Sequence, residues 1–537
     1  MRERLARSWG LASVLVVALS AAPVTFSPAA SRAARTRPPA LAGTWYPESR
    51  ARLVAGAHLL MRLAASAPAL PAKPVALVVP HAGWSYSGLA AAAAFRQLKP
   101  GDFGRVVVVA PSHHSGFRGY ALDDATAYRT PLGEVPLCGG AFAALSGEGA
   151  RLVPGATEPE HAVEIELPFL QAALGGFCLV PVLVGETGRD DERAFAERLA
   201  RLDDGRTLFV FSSDFAHYGP RFDYQPFGPL SPETLGRIRA MDGRAVEILG
   251  RLDARGFRAY LAETRNTICG RNGLSTMLEL LPLVAPKARA VPLARYASGE
   301  LPGMNDASSV SYVAVAFLRE AAEGAAFPPP LADMPQLRDA PPGTPALAPE
   351  RGDALVRLAR AALATELLDR DDLDRELRAW RTGPDEGRRQ GVFVTLNRKN
   401  PQEIRTKGRL RGCIGQPEPA FPLYYGTVEA ALDAALRDPR FEPVTAAELG
   451  GLEVEVTVLS PRTPVASWRE IRLGTHGIVL QKGDRRALFL PQVAREQGWT
   501  LEETLTALAE KAGLPPDGWK DGARFLVFTG QAFQEHP

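Results

Sequence analysis

The chain has 537 residues, 46% hydrophobic and 23% charged, with 62 Lys+Arg against 60 Asp+Glu for a net charge of +2. That length exceeds one ordinary domain, and the composition excludes wholesale disorder, collagen and a polytopic membrane protein. The near-balanced charge makes nucleic acid an unlikely partner for the chain as a whole, and four cysteines are too few to form a disulfide scaffold at this size.

In chain order, Arg2, Arg4 and Arg7 precede an apolar run over 11–19, and Ser20, Ala21 and Ala22 follow. Residues 1–22 therefore read as an export signal peptide, since the run is short for a transmembrane helix. The alternative is a cytoplasmic chain with a misassigned start or a short anchor. Residues 23–39, rich in Ser, Ala, Pro and Arg, read as a disordered spacer. A body spans 40–320. A proline-rich linker covers 321–349, and a smaller body follows over 350–533.

The first body alternates strand and helix. Continuous apolar runs at 75–79, 106–110, 179–184 and 208–211 predict strands buried on both faces, and 309–317 reads as a last strand. Helical stretches at 88–98, 165–174 and 191–202 lie between them, which makes this an α/β layered domain. Polar clusters follow three of the runs: Pro80-His81-Ala82-Gly83, Pro111-Ser112-His113-His114 and Ser212-Ser213-Asp214-Phe215-Ala216-His217. Ligands of open α/β sheets bind beyond the carboxyl ends of the strands, so these side chains should share one site. His161, in Glu160-His161-Ala162-Val163-Glu164, is a further candidate. Neutral imidazoles bind borderline metals, and the third ligand could be Asp214, Glu164 or a thiolate. Cys269 precedes a helix at 274–281, where the helix N-terminus and Arg271 would favour the thiolate. A small buried cysteine is the competing reading. Cys138 and Cys178 lack such a context, and Cys178, beside an apolar run, reads as core.

Further motifs complete a pattern: Ala42-Gly43-Thr44-Trp45-Tyr46-Pro47, Tyr128-Arg129-Thr130-Pro131-Leu132-Gly133, Pro181-Val182-Leu183-Val184-Gly185 and Asn266-Thr267-Ile268-Cys269-Gly270. With the histidine clusters they resemble the Memo family over about 40–320. The resemblance implies a fold similar to class III extradiol dioxygenases. It also implies metal ligands at His81, His113 and Cys269, with iron or copper as the metal. Asp214 and His217 match pocket residues, either as groups that support the ligands from behind or as the candidate catalytic acid/base groups. Extradiol dioxygenases use two histidines and a carboxylate, so a cysteine in the third place departs from ring-cleaving chemistry.

The second body reads as α+β. A helix is predicted at 353–368 and strands at 391–396 and 452–459. A basic loop carries Arg398, Lys399, Arg405, Lys407 and Arg409. A hairpin has its turn in 482–486, and a helix capped by Thr500 and Glu503 ends near Gly513. In Leu410-Arg411-Gly412-Cys413-Ile414-Gly415 the glycines could admit a ligand to the backbone, with Arg411 and Cys413 as substrate-binding residues. A tight turn with a core cysteine is the plainer alternative. This stretch, with Asp438-Pro439-Arg440-Phe441, Thr475-His476-Gly477-Ile478 and Leu490-Pro491-Gln492-Val493, resembles the AMMECR family over about 350–533.

The two resemblances, in this order, match proteins B and A of the AmmeMemoRadiSam system. The third member of that system is a radical SAM protein, so the resemblance implies one as partner; this chain, with no Cys-x3-Cys-x2-Cys cluster motif, does not supply that chemistry itself. The expected function is a fusion protein whose first body binds a redox metal and supports oxidative chemistry on a small-molecule or peptide substrate. The second body would serve as substrate or partner module. A non-catalytic metal- or peptide-binding adaptor is the alternative. A metal-free hydrolase using Ser212 or Ser213 is a third reading, without a Gly-x-Ser-x-Gly elbow to support it.

Overall fold

The apolar runs of the first body form the centre of a nine-stranded mixed sheet. The computed structural model describes residues 35–302, 304, 306–320, 340–341, 344–380, 385, 387–418 and 421–535. The expected signal peptide and most of the expected linker lie outside them. Pro74–Val79, Thr207–Ser212, Arg105–Pro111 and Cys178–Val184 are adjacent and parallel. Their side chains alternate between two cores. Leu77, Val79, Val106, Val108, Leu208 and Val210 face one, and Val78, Val107, Val109, Phe209 and Phe211 face the other. Period-two alternation with both faces apolar is what makes the runs continuous in sequence.

Helices cover both faces. Trp84–Phe95 and Leu167–Leu174 pack on the first, Arg189–Ala200, Pro232–Gly250 and Arg271–Val284 on the second. Ser309–Leu318 extends the sheet antiparallel to Pro74–Val79 and pairs outward with Arg289–Ala297. The predicted strands and helices are present, with shifted ends. The helix expected at 165–174 runs from Leu167 to Leu174, with Pro168 in its first turn, after a separate short helix His161–Glu164. Among the described residues, no helix is long and apolar enough to cross a membrane.

Three expectations are corrected. The spacer expected through residue 39 ends earlier, because Thr36–Arg37 pairs with the strand Ala127–Thr130. Arg37 is 1% exposed, and its guanidinium donates to Glu164 Oε2 at 2.7 Å and to the carbonyls of Thr157, Glu158 and Glu160. Cys138 and Cys178 are not isolated core residues but a disulfide, with Cα atoms 4.9 Å apart. A bridge between Leu137 and Leu179 brings the two together across 40 residues, a contact no local pattern encodes. The basic stretch 398–409 is not all loop. Pro401–Lys407 is helical, started by Asn400, whose side chain accepts the Gln402 N–H, and by proline at the first position.

The second body holds two antiparallel sheets. Leu410–Gln416, Val392–Arg398, Leu452–Leu459 and Gly530–Gln534 make the first, covered by helices Pro349–Leu368, Asp372–Trp380 and Leu423–Leu436. Thr463–Val465, Arg524–Phe528, Gly477–Lys482 and Arg485–Phe489 make the second, packed on Leu501–Lys511. The hairpin turn tightens to Gly483-Asp484, with Gly483 at φ +57°. The bodies are also packed together. Ala51 and Ala55, on the first body's helix Arg50–Leu63, lie in the second body's core. Arg52 of that helix pairs with Glu429 and Asp433, and His58 with Asp374.

Candidate metal centre

His81 follows the strand Pro74–Val79 and His113 follows Arg105–Pro111, so parallel pairing through the intervening Thr207–Ser212 delivers both to one sheet edge. Cys269 comes from the segment before helix Arg271–Val284. Gly270 is required there. A Cβ on it would lie 2.5 Å from Ser213 Cβ, and its N–H donates to Ser213 Oγ at 3.1 Å. This close approach sets Cys269 Sγ 3.2 Å from His81 Nε2. The ligand atoms of His81, His113 and Cys269 all lie within 4.8 Å of one another. A tetrahedral ion with N and S ligands spaces its donors about 3.5 Å apart, so the trio fits a transition-metal ion.

Both imidazoles are oriented from behind. His81 Nδ1 meets Ser212 Oγ at 2.8 Å, and His113 Nδ1 meets Glu160 Oε1 at 2.9 Å. Glu160 also accepts the N–H of His113, His161 and Ala162. Its burial would raise the carboxyl, but the hydrogen bonds and charge of His113 prevail and hold it at about 2. Burial, then the neighbouring His113, His161 and His217, pushes His81 well below the ordinary imidazole range. It is therefore neutral, the form that ligates metal. Burial also lowers His161, to about 4. The His161 ring stacks on His113 at 4.4 Å and lies 4.7 Å from Trp45, and His114 reaches it edge-on at 5.8 Å.

Cys269 differs from expectation. Burial, then the charge of Asp214, raises its thiol well above the ordinary range, so neither the helix N-terminus nor the exposed Arg271 makes it a thiolate in the metal-free chain. Binding a metal must displace the thiol proton. Asp214 is buried, and its Oδ1 accepts the N–H of His81 at 2.8 Å, which fixes the loop carrying that imidazole. His217 is held through Nδ1 by the carbonyls of Phe215 (2.9 Å) and Thr267 (3.1 Å). Glu164 is not among the grouped ligands. Its oxygens accept Arg37, the N–H groups of Ala40 and Leu41, and the Tyr46 hydroxyl. Ser212 and Ser213 are buried with their hydroxyls engaged, which removes the hydrolase reading.

Nothing local in the sequence marks Glu160, in the Glu160-His161 pair, as the residue that orients His113, or Glu166 as fully buried beside Ser212. In the second body Arg411 is 5% exposed, and its guanidinium is committed to Glu448 and to the carbonyls of Glu442 and Pro443. Cys413 is half-buried and accepts from Thr395 Oγ1 at 3.3 Å. The glycines serve packing. A Cβ on Gly412 would lie 2.0 Å from the Ala434 carbonyl oxygen, and one on Gly415 would lie 2.3 Å from that of Val392.

A sequence model of the family described as Memo-like protein matches residues 37–316, and one described as AMMECR1 matches 356–533. Protein MEMO1 of Danio rerio is 35% identical over 244 residues, 44% of this chain and 81% of its own. Protein PF1979 of Pyrococcus furiosus is 42% identical over 193 residues, 35% of this chain and 89% of its own. The crystal structure of the uncharacterized protein PH0010 from Pyrococcus horikoshii is 39% identical and covers 35% of this chain and 94% of its own, with a TM-score of 0.29. With a strand-end His/His/Cys cluster inside the matched region and the Memo-like match spanning more than half its length, this chain belongs to the Memo-like protein family and carries an AMMECR1 region after it.

Proposed function

We propose that His81, His113 and Cys269 hold a redox metal, iron or copper, and that the first body uses it for oxidative or redox chemistry on a small-molecule or peptide substrate. The carrying observation is the convergence of the three ligand atoms within 4.8 Å, with Nδ1 of both histidines already engaged. When bound, such a metal supplies electron transfer and Lewis acidity at the strand ends. The chain's own groups do the rest. Ser212 and Glu160 hold the two imidazoles so that Nε2 faces the metal position. Cys269 gives up its proton on metal binding. Asp214 fixes the His81 loop. With its Nδ1–H donated to carbonyls, His217 presents Nε2 as a proton acceptor, which suits a general base. The second body is proposed as the substrate or partner module. Cys413 keeps partial exposure there while Arg411 is engaged, so Cys413 is the better placed to meet a ligand. A radical SAM protein is the proposed partner, carried over from the family resemblance.

Metal analysis of anaerobically purified chain tests the centre. About one equivalent of iron or copper is expected, with affinity reduced at least about 100-fold in His81→Ala, His113→Ala and Cys269→Ala, beyond what outer residues contribute. Metal retained by all three variants would discard the centre and favour a binding module without turnover.

We also propose export, supported by the basic and apolar N-terminal segment and by the Cys138–Cys178 disulfide, since disulfides persist in oxidising compartments. Cell fractionation with N-terminal sequencing and intact mass measurement is expected to give a shortened, once-crosslinked chain. Cys138→Ser should cost about 2–4 kcal/mol in stability. A full-length cytosolic chain with free Cys138 and Cys178 thiols would reject export.

A further inference from the structure

Among the described residues Ser212 Oγ has three polar neighbours, and it has one proton to share. The Ala162 carbonyl oxygen lies 2.8 Å away, His81 Nδ1 2.8 Å and Glu166 Oε1 3.0 Å. A carbonyl can only accept, so the Ser212 hydroxyl donates to Ala162. Its two lone pairs are then left for two donors. His81 Nδ1–H is one. The other must come from Glu166, which can donate only as a carboxylic acid. If Glu166 were ionised it would compete with Ala162 for the single hydroxyl proton. Glu166 is 0% exposed, and its Oε2 has no partner among the described residues. A buried carboxylate with one bare oxygen is far costlier than a buried acid with a bare carbonyl.

We infer that Glu166 sits in the protein as a neutral carboxylic acid that donates to Ser212 Oγ, and that this chain locks His81 in the tautomer presenting Nε2 to the metal position. Burial, reinforced by the charge of Asp214, pushes the Glu166 carboxyl well above the ordinary range, as this arrangement requires; a hydroxyl donated by Ser212 to Glu166 would act the other way. Glu166 is a positioning residue: it touches no ligand position and acts through Ser212. With His113 held by Glu160, the two histidines are oriented by opposite means. One Nδ1–H is received by a carboxylate, the other by a hydroxyl that a neutral acid keeps free to accept. The inference rests on the reading of His81 as a metal ligand for its consequence, but not for the protonation of Glu166.

Infrared difference spectra of the metal-free full chain against Glu166→Gln should show loss of a buried carboxylic-acid carbonyl band. Imidazole 15N shifts should place the His81 proton on Nδ1. Glutamine keeps a neutral donor, so Glu166→Gln should bind iron(II) or copper(I) within about threefold of the parent, whereas Glu166→Ala should lose about 10–100-fold. Should Glu166→Ala fail to fold, Ser212→Ala reads the same link and should make Glu166→Gln silent in the double variant. Loss of a carboxylate band instead of an acid band would overturn the inference. So would Glu166→Gln binding as weakly as Glu166→Ala, or Glu166→Ala binding like the parent. If His81→Ala and Cys269→Ala leave metal binding intact, the metal centre fails while the infrared and 15N results still decide the state of Glu166.

Discussion

Two glycine–cysteine pairs, Cys269-Gly270 in the first body and Gly412-Cys413 in the second, look alike in sequence but sit in different surroundings. Gly270 lets a loop press against Ser213 at the carboxyl edge of a parallel sheet, where Cys269 meets His81. Gly412 lies within the antiparallel strand Leu410–Gln416 and admits the Ala434 carbonyl of the covering helix. The backbone of Cys413 is clamped as well. Its N–H donates to Asp438, and its carbonyl accepts from Arg440. At Cys269 the small neighbour therefore goes with polar side chains converging beyond strand ends. Inside an antiparallel ladder it reports close packing.

The comparison can be broken by measurement. The first body buries its supporting charges fully, so removing one should cost most. Glu164→Ala strands Arg37 and is expected to destabilise by about 3–5 kcal/mol in urea unfolding. A loss under about 1 kcal/mol would show that the pair is not buried as described.

The two bodies should next differ in the sign of a pH response. Burial, against hydrogen bonds from Ser311 and Asn266, raises Asp242 to about 6. A carboxyl raised in the folded state is favourable while protonated, and that contribution is lost as pH rises through 6. The Arg440 hydrogen bond, against burial, lowers Asp438 to about 2. Its contribution is complete above the ordinary aspartate value of 3.8 and is lost as pH falls through 2. Each swing is at most about 3 kcal/mol. In Tm profiles Asp242→Asn should gain on the parent as pH rises from 5 to 8. Asp438→Asn should flatten the acid limb. The same sign from both would contradict these environments.

Smaller effects sharpen the glycine contrast. Gly412→Ala should lower the stability of the second body by about 1–3 kcal/mol through overpacking, whereas Cys413→Ala should change it by about 1 kcal/mol or less. A neutral Gly412→Ala would show that the Ala434 carbonyl does not crowd this position as described. Glu448→Gln, at a side chain 39% exposed, keeps an acceptor for Arg411 and should change urea unfolding least, by about 0–1 kcal/mol.

Much of the architecture was legible because burial on both faces leaves unbroken apolar runs. Those at 75–79, 106–110, 179–184 and 208–211 mark the four central strands, and the polar residues after three of them mark the site. Less was legible where an element depends on a distant partner. Residues 36–39 look like spacer until Glu164, more than a hundred positions away, gives Arg37 a buried counter-charge. Cys138 looks isolated until Leu137 meets Leu179. The two bodies look independent until Ala51 and Ala55 enter the second core.

By itself, the sequence determined which side chains were available and where along the chain each strand ended, because hydrophobic period and turn chemistry are local properties. His81, His113 and Cys269 could be named from it, through the strand ends and the family resemblance together. The tertiary structure alone decided what surrounds them. Ser212 and Glu160 face the two Nδ1 atoms, the Glu166 side chain has only Ser212 for a hydrogen-bond partner among the described residues, and burial raises the Cys269 thiol. Protonation and tautomer depend on the dielectric and on hydrogen-bond partners brought from elsewhere in the chain, and neither is a property of the residue's neighbours in sequence.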